Sequence, residues 1–434
     1  MEWKQRNRLA SYLKSSLWIV SLAAAFFALL CSNVVHLLDA RLQWGGAELG
    51  LEGARAIAAA TLTLTLSFTV FTFSSLLLAV QIASGQYTPR IIATTLLRDN
   101  VIRYTVGLFV FTFLFATKSL ARTETSVPQL LVFITALLGF ACIVAFLFLI
   151  DYAARLLRPV SLVRNLGEAG LAVLEDVYPE KCPEIPEPHA PANQSVRAER
   201  ILLHRESSAI VIAVNVKQLM DLATRADGAI EFAPEVGDFV GGDEPLFLLD
   251  GKASTIADEQ LDACVIFGSE RTLEQDPLFV FRILVDIAIK ALSPAINDPT
   301  TAVLTIDQLH RLLRRAGHRN LRTNENCDDA GNVRVILRTP EWEDFVHLAF
   351  TEIRMCGAAN VQIARRLRAM LLNLSATLPA IRQPALAQEL DLLERTVEKL
   401  YLLPEDLVLA RIPDPQGLGG STRAIAPSLG VKAA

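Results

Sequence analysis

The sequence lacks the motifs by which most enzymes and metal-binding proteins are recognised. Its six cysteines, in 434 residues, are scattered without a Cys-x-x-Cys pair, which indicates neither a disulfide framework nor a zinc site. No Walker loop, Gly-x-Ser-x-Gly elbow, His-Glu-x-x-His helix or dinucleotide fingerprint occurs. The net charge of −5 supplies no basic field for nucleic acid. We therefore expect no enzymatic activity, no cofactor, no metal and no nucleic-acid partner.

Charge is also missing from the middle of four long apolar stretches in the first third of the chain. Each is close to, or longer than, the roughly 20 helical residues that cross a hydrocarbon core. Ion-coupled carriers and proton relays usually keep a charged residue inside the membrane, so its absence disfavours those functions. We predict a four-helix transmembrane domain over residues 1–158, in contact with the lipid bilayer. The predicted spans are Leu17–Leu38, Ala56–Ile82, Tyr104–Leu120 and Leu130–Ile150.

The lysine and arginine residues near these spans predict their orientation. Ten lie at the N-terminus, between the second and third spans, and after the fourth span, which are all on one side of the membrane. Four lie on the opposite side. Because an excess of basic residues marks the cytoplasmic side, we expect both termini in the cytoplasm.

Hydroxyl side chains are concentrated in the second span. Eight of the fifteen residues at 61–75 are serine or threonine. Their partial alternation resembles a strand, but a single strand in lipid would leave its backbone unpaired, so we predict a helix. On that helix Thr61, Thr65, Thr69 and Thr72 share one face. They could pack against neighbouring helices or line a water-filled pore, and the sequence leaves both interpretations open.

The rest of the chain is predicted to form a cytoplasmic α+β domain. A helical extension and a proline-rich linker occupy 159–204, and a small β module follows at 205–268. Residues 269–412 are mainly helical, and 413–434, rich in glycine, serine and proline, are expected to be a disordered tail. The predicted fold is therefore a membrane α-helical domain followed by an α+β domain.

Turn signals between short apolar runs define the β module. Residues 236–250 read VGDFVGGDEPLFLLD, which resembles the hairpins of barrel-sandwich hybrid domains. The biotinyl and lipoyl carriers of that class present a modified lysine at a hairpin tip. Lys217 and Lys252 are the nearby lysines, and neither has that context. The resemblance thus supports a barrel-sandwich-like module without carrier chemistry.

The densest polar cluster surrounds a predicted helix–helix junction. Arg282 and Asp286 are spaced i,i+4 on the first helix, and Asp298-Pro299 is typical of an N-cap followed by proline at the start of the second. These residues could form an ion-pair ladder and a capped junction. They could also form a ligand or ion site, for which the candidate residues are Arg282, Asp286, Asn297 and Asp298.

Three stretches together resemble one known family. They are FTVFTFSSLLLAVQIASGQYTPRII at 68–92, GDFVGGDEPL at 237–246 and ERTLEQDPLFVFRILVDIAIKALSPAINDPTTA at 270–302. The chain resembles the family of uncharacterised bacterial predicted membrane proteins, a domain of unknown function with four N-terminal transmembrane helices. The resemblance implies location in the bacterial inner membrane, and it carries over no activity, cofactor or catalytic residue.

These observations favour a non-enzymatic membrane protein. The leading hypothesis is a homo-oligomer in which the cytoplasmic domain regulates the membrane part, which could be an oligomeric channel. The alternative is a membrane-anchored scaffold or sensor without conduction. The two differ in the second span, because a channel must wet the threonine face and a scaffold buries it.

Overall fold

The structure is a computed structural model that describes residues 17–42, 50–86, 99–123, 127–156, 158–182, 198–321 and 325–420. The chain separates between Leu162 and Val163 into two compact units. We call them the four-helix unit and the α/β unit, and each is described by itself.

The four-helix unit contains four helices that are long and apolar enough to cross a membrane, which confirms the prediction of four apolar N-terminal helices. Their outward faces carry exposed large apolar side chains, including Phe26, Leu77 and Phe140. Such faces are typical of helices that contact lipid. The helices are α1 Leu17–Leu42, α2 Leu51–Gln86, α3 Asn100–Arg122 and α4 Gln129–Leu156.

Small residues and stacked rings hold these helices together. A Cβ added to Gly107 of α3 would lie 3.0 Å from Val20 Cγ1 of α1, so the glycine allows a close approach of the two helices. Between α2 and α4, the rings of Phe68 and Phe146 stack with centroids 4.1 Å apart. Close packing replaces the hydrophobic drive that is weak between helices in lipid.

The α/β unit contains two small sheets that share one apolar core. The helix α5 Pro159–Val177 precedes them, and α6 Val216–Ala226 packs on the same core. The five-stranded sheet has the order β1-β5-β3-β8-β7, and the three-stranded sheet has the order β4-β2-β6. The strands are β1 Arg200–Leu203, β2 Ala209–Val214, β3 Gly228–Phe232, β4 Phe239–Val240, β5 Pro245–Gly251, β6 Val265–Gly268, β7 Glu325–Cys327 and β8 Val333–Leu337.

The larger sheet draws strands from both sides of the predicted 205–268 module. β1 comes from the predicted linker, and β8 comes from the predicted helical region. β8 pairs in parallel with β3, with Val335 opposite Ile230. A parallel pair requires a long crossover, and the crossover between β3 and β8 includes the helices Asp258–Asp262, Pro277–Ala291 and Pro299–Gly317. A mixed α/β region with small sheets is thus present, and the barrel-sandwich likeness stays a prediction.

The helical part is built around one helix that is buried over most of its surface. α8 Pro277–Ala291 has fully buried residues at Val280, Phe281, Ile283 and Leu284, and a narrower half-buried stripe carries Arg282 and Asp286. A helix with so wide an apolar face packs in the interior of a fold. Around the same part of the fold lie α7 Asp258–Asp262, α9 Pro299–Gly317, α10 Trp342–Gly357, α11 Val361–Thr377, α12 Gln383–Leu400 and α13 Pro404–Ala410.

Residues 413–420, which the sequence placed in a disordered tail, pack against α11 instead. Asp414 is fully buried, and its backbone N–H donates to the Arg365 carbonyl at 3.1 Å. Arg365 in turn donates from Nη1 to the Gly419 carbonyl at 2.8 Å. A glycine-rich composition suggested disorder, but here the glycines supply the positive φ angles of a docked turn. The remainder of that predicted tail, 421–434, lies outside the described residues.

Candidate functional site

A cavity of about 430 Å³ opens in the α/β unit where α5, the two sheets and α8 meet. The C-terminal end of α5, the ends of β2 and β8, and the start of α8 form its walls. Both apolar and polar side chains face it, which is usual for a small-molecule site. Its lining includes Tyr178, Val214, Phe232, Gln275, Asp276 and Arg338.

Asp276 is the central acidic group of this cavity. It caps α8 by accepting a hydrogen bond from the Phe279 N–H at 3.0 Å, and only 4% of the residue is exposed. Burial, together with the negative charge of Asp238, raises the pKa of Asp276 to about 6, against the opposing effect of Arg271. The Arg271 guanidinium lies 3.5 Å from the Asp276 carboxylate. The carboxyl group can therefore take up a proton just below neutral pH.

Gly237 closes the loop over this carboxylate. Its φ is +96°, and a Cβ at this position would lie 2.4 Å from Asp276 Oδ2. Its N–H donates to the Val211 carbonyl at 2.8 Å, which ties the loop to β2. Any larger residue would be strained and would also displace the carboxylate, so the site requires glycine here.

Tyr178 is the first residue after α5, and it is fully buried. Its ring meets Phe345 edge-on, with centroids 6.3 Å apart, and its hydroxyl donates to the Pro340 carbonyl at 3.4 Å. Burial raises the pKa of the Tyr178 hydroxyl, and the charges of Glu235 and Asp276 raise it further. The hydroxyl thus stays protonated and acts as a hydrogen-bond donor.

Acidic groups outnumber basic ones around the cavity. Burial raises the pKa of Glu235, and so do the neighbouring charges of Asp238 and Asp344, with Arg338 opposing. Within the described ranges, no group of three or more histidine, cysteine or acidic residues is placed to hold a metal ion. The charged groups around the cavity are thus mainly acidic, and two of them, Asp276 and Glu235, have raised pKa values.

The sequence-predicted ligand residues lie elsewhere in the α/β unit. Arg282 donates from Nε to Asp286 at 2.7 Å and also pairs with Glu352 of α10, at 3.1 Å from Nη2. The Arg282–Asp286 pair therefore forms part of a link between α8 and α10. This agrees with the ion-pair interpretation of the i,i+4 spacing.

Asn297 and Asp298 form the junction between α8 and α9. Asn297 has a φ of +48°. Asp298 caps α9 by accepting from the Thr301 N–H at 3.1 Å and from the Thr301 hydroxyl at 2.5 Å. Its own N–H donates to the Ala291 carbonyl at 2.7 Å. The partners of Asp298 thus differ from those of Arg282, and a common ligand site of the four residues stays a prediction.

The four predicted pore-lining threonines lie on one side of α2. Thr61, Thr65 and Thr72 are buried in the four-helix unit, and Thr69 is half-buried. Thr65 donates to the Thr61 carbonyl and Thr69 donates to the Thr65 carbonyl, each at 2.8 Å. Thr61 also packs against Gly139 of α4, 3.0 Å from the position of a Cβ. These are contacts within one chain, so the pore interpretation stays a prediction.

Comparison with known proteins agrees with this architecture. A family model described as a predicted membrane protein, DUF2254, matches residues 14–373, which include the four apolar helices and most of the α/β unit. The chain belongs to the DUF2254 family.

The DUF2254 relatives include uncharacterized proteins from two mycobacteria. Mb1321c of Mycobacterium bovis and Rv1290c of Mycobacterium tuberculosis are each 24% identical to this chain over 443 residues. Each alignment covers 97% of this chain and 82% of the relative. No solved structure shows significant similarity to the chain. The family description and the four apolar helices thus agree that this DUF2254 member is a predicted membrane protein.

Sequence reasoning missed most of this cavity. Asp276 was not among the candidate residues, although Asp276-Pro277 repeats the Asp-Pro cap signal of Asp298-Pro299. Tyr178 carries no local signal, because only the fold of this DUF2254 chain brings it beside α8 and β8.

We predict that Asp298→Ala lowers the free energy of unfolding by about 1 kcal/mol, because a helix N-cap is lost. Asp298→Ser should restore it, since a serine hydroxyl accepts the same N–H bond. Unfolding of the full chain in detergent can be followed by Trp342 fluorescence after the other three tryptophans are replaced by phenylalanine. If Asp298→Ser is as stable as wild type but does not support the wild-type cellular phenotype, this result would favour the ligand-site hypothesis.

We predict that Asp276→Asn removes a pH dependence of stability. The folded pKa of about 6 exceeds the ordinary value of 3.8, so between these pH values the folded state holds a proton that the unfolded state has lost. The free energy of unfolding should therefore fall as pH rises through this window, by about 3 kcal/mol in total. Asparagine still caps α8 but cannot ionise, so the variant should be more stable than wild type at pH 7.5.

The control for this prediction is Asp298→Asn, which makes the same change at the other Asp-Pro cap, where the residue is only half-buried. It should retain the wild-type slope of stability against pH. Equal slopes for wild type and Asp276→Asn would show that Asp276 is not the titrating group.

Proposed function

We propose that this chain is a non-enzymatic, multi-pass sensor of the bacterial inner membrane, with both termini in the cytoplasm. Its four apolar helices contact the lipid bilayer. Its α/β unit takes up a proton or a small cationic molecule in the cavity of Tyr178 and Asp276. The resulting change reaches the membrane helices through α5.

The position and length of helix α5 support this proposal. α5 begins at Pro159, soon after α4 ends at Leu156, and it continues without interruption to Val177. Asp176, Val177 and Tyr178 at its other end line the cavity. Nineteen helical residues span about 28 Å. Because a helix moves as a rigid element, a shift of Tyr178 can be transmitted along its whole length.

The acidic groups of the cavity support the proposal that the signal is a proton or a cation. Burial raises the pKa of Asp276 to about 6, close to physiological pH, and Glu235 beside it also has a raised pKa. Protonation removes a buried negative charge next to the end of α5. A bound cationic group would have the same electrostatic effect, so both signals would favour the same state of the cavity.

The threonines of α2 support a sensor over an oligomeric channel. Two of the four hydroxyls are satisfied by the carbonyl four residues earlier, which is how hydroxyls are accommodated in a membrane helix without water. A channel would require several copies to present this face to a common axis. In one chain the Thr61 end of this face is instead packed against α4, where Thr61 lies beside Gly139.

The coupling through α5 can be tested by hydrogen exchange of the full chain in lipid nanodiscs. After correction for the intrinsic effect of pH on exchange, peptides from α5 should differ in protection between pH 5 and pH 7.5. The difference should disappear in Asp276→Asn, while peptides from α12, which does not line the cavity, should show none in either protein. An α5 response that is identical in the variant would refute the proposal.

Thiol labelling tests the sensor against the channel. In a background without the six native cysteines, cysteine at position 61, 65, 69 or 72 should stay inert to a water-soluble thiol reagent, because these positions are packed in the four-helix unit. Cysteine at Glu398, which is exposed on α12, is the reactive control. Labelling of the α2 positions from one side of the membrane would instead support the channel.

A further inference from the structure

A second open cleft, of about 520 Å³, lies in the α/β unit along α9, away from the residues that line the Asp276 cavity. Leu171 of α5 supplies an apolar wall. The remaining lining comes from α9 at positions spaced by three and four residues, which places them on one face of the helix. These residues are Asp307, His310, Arg311, Arg314 and Arg315 of α9 and His318, which caps its C-terminal end.

The charges of this cleft do not cancel. Asp307 is paired with Arg366 of α11, with 2.7 Å between Oδ1 and Nε, and Arg315 is paired with Glu175 of α5. Arg311 and Arg314 are exposed, and neither makes a hydrogen bond or ion pair with any residue in the described parts of the chain. Two guanidinium groups thus face the cleft without a counter-charge, in a protein whose net charge is −5.

His310 is held in its neutral form with a defined tautomer. Arg366 Nη2 lies 3.2 Å from His310 Nδ1, and since arginine can only donate, Nδ1 is the acceptor. His310 Nε2 lies 2.9 Å from Asn373 Oδ1 and carries the proton that it donates. Burial lowers the pKa of His310, and the positive charges of Arg366 and Arg314 lower it further, with Asn373 and Asp307 opposing.

The pKa of His318, at the other end of the cleft, is lowered by the same kinds of effect. Burial lowers its pKa, and so do the charges of Arg314 and Arg315. The pKa values of both histidines are therefore lowered in part by Arg314, which makes no ion pair with any described residue. A bound anion would reverse this effect and allow both histidines to take up protons.

A simpler explanation accounts for only part of this arrangement. Basic residues in the last turn of a helix are stabilised by its dipole, which explains Arg314 and Arg315 at the end of α9. Arg311 lies about one turn further from that end than Arg314 and Arg315 do, and the dipole does not explain an open cleft beside it. The presence of Arg311 beside an open cleft therefore requires another explanation.

We infer that this cleft binds a phosphate-bearing anion, with the guanidinium groups of Arg311 and Arg314 as its direct partners. Arginine suits phosphate because its planar fork donates two parallel hydrogen bonds to phosphate oxygens. His310 and His318 would add charge as the anion binds, and Leu171 offers contact to an apolar part of the ligand. The phosphate could belong to a soluble phosphate ester or to the headgroup of an anionic lipid.

The affinity should rise as pH falls. The groups that face His310 are Arg366 and Asn373 from α11, and Asp307 and Arg314 from α9. His318 faces Arg314 and Arg315, and Glu175 of α5 pairs with the latter. An anion among these groups raises the pKa of both histidines, so protons are taken up on binding, and lower pH favours the complex.

Calorimetric titration of the full chain in phosphatidylcholine nanodiscs with inorganic pyrophosphate tests the site. We expect Arg311→Gln/Arg314→Gln to weaken binding at least tenfold. The matched control is Arg205→Gln/Arg395→Gln, which removes two exposed arginines far from the cleft in sequence and should change affinity less than twofold. Equal losses in the two double variants would show non-specific attraction and overturn the site.

Two further measurements distinguish the source of the phosphate and test the role of the histidines. Deuterium uptake by the peptide at 305–320 should fall in nanodiscs of equal parts phosphatidylcholine and phosphatidylglycerol if a lipid headgroup binds, and should fall only with pyrophosphate if the ligand is soluble. His310→Gln/His318→Gln should abolish the tightening of pyrophosphate binding between pH 7.5 and 5.5. The absence of both pyrophosphate binding and a lipid effect would refute the inference.

This site is independent of the proposed sensor cavity. Asp276→Asn should leave pyrophosphate binding unchanged, and Arg311→Gln/Arg314→Gln should leave the pH response of α5 unchanged. Each proposal can therefore fail without the other.

Discussion

The need to satisfy the buried N-terminus of α8 constrains much of the α/β unit. Most of the α8 surface is apolar and buried, and the first turn of the helix, where Phe279 lies, is buried with it, so its N–H groups need partners within the protein. Asp276 supplies the acceptor, but a carboxylate at this position is itself buried and has to be neutralised or compensated. Arg271 provides part of the compensation, and the raised pKa of Asp276 reflects what remains. The acidic cavity is thus a consequence of burying α8.

The surroundings of Asp276 show how closely this requirement is met. Gln275, the residue before it, accepts a hydrogen bond from the Val214 N–H at 2.9 Å and so joins the start of α8 to the end of β2. The turn at Gly237 passes so close that it leaves no room for a Cβ. Tyr178 fills the other side and brings the end of α5 to the same point. A small change of charge here would be felt by two helices and a strand.

The four-helix unit is under a different constraint, because it has to accommodate polar side chains among apolar ones. Thr65 and Thr69 donate hydrogen bonds to carbonyls of their own helix, and Gly107 and Gly139 allow close packing where larger residues would separate the helices. The basic cleft of α9 differs, because Arg311 and Arg314 have no counter-charge within the described residues.

The sequence by itself determined the four apolar helices, the helical conformation of the hydroxyl-rich span and the Asp298 cap. These features depend on hydropathy and on residues a few positions apart, so they can be deduced locally. The tertiary structure decided the rest. The pairing of Ile230 with Val335, the docking of Asp414 on α11 and the meeting of Tyr178 with Asp276 each join segments far apart in the chain. Such contacts depend on which buried surfaces fit together, and neither composition nor spacing encodes that fit in a form that can be deduced locally.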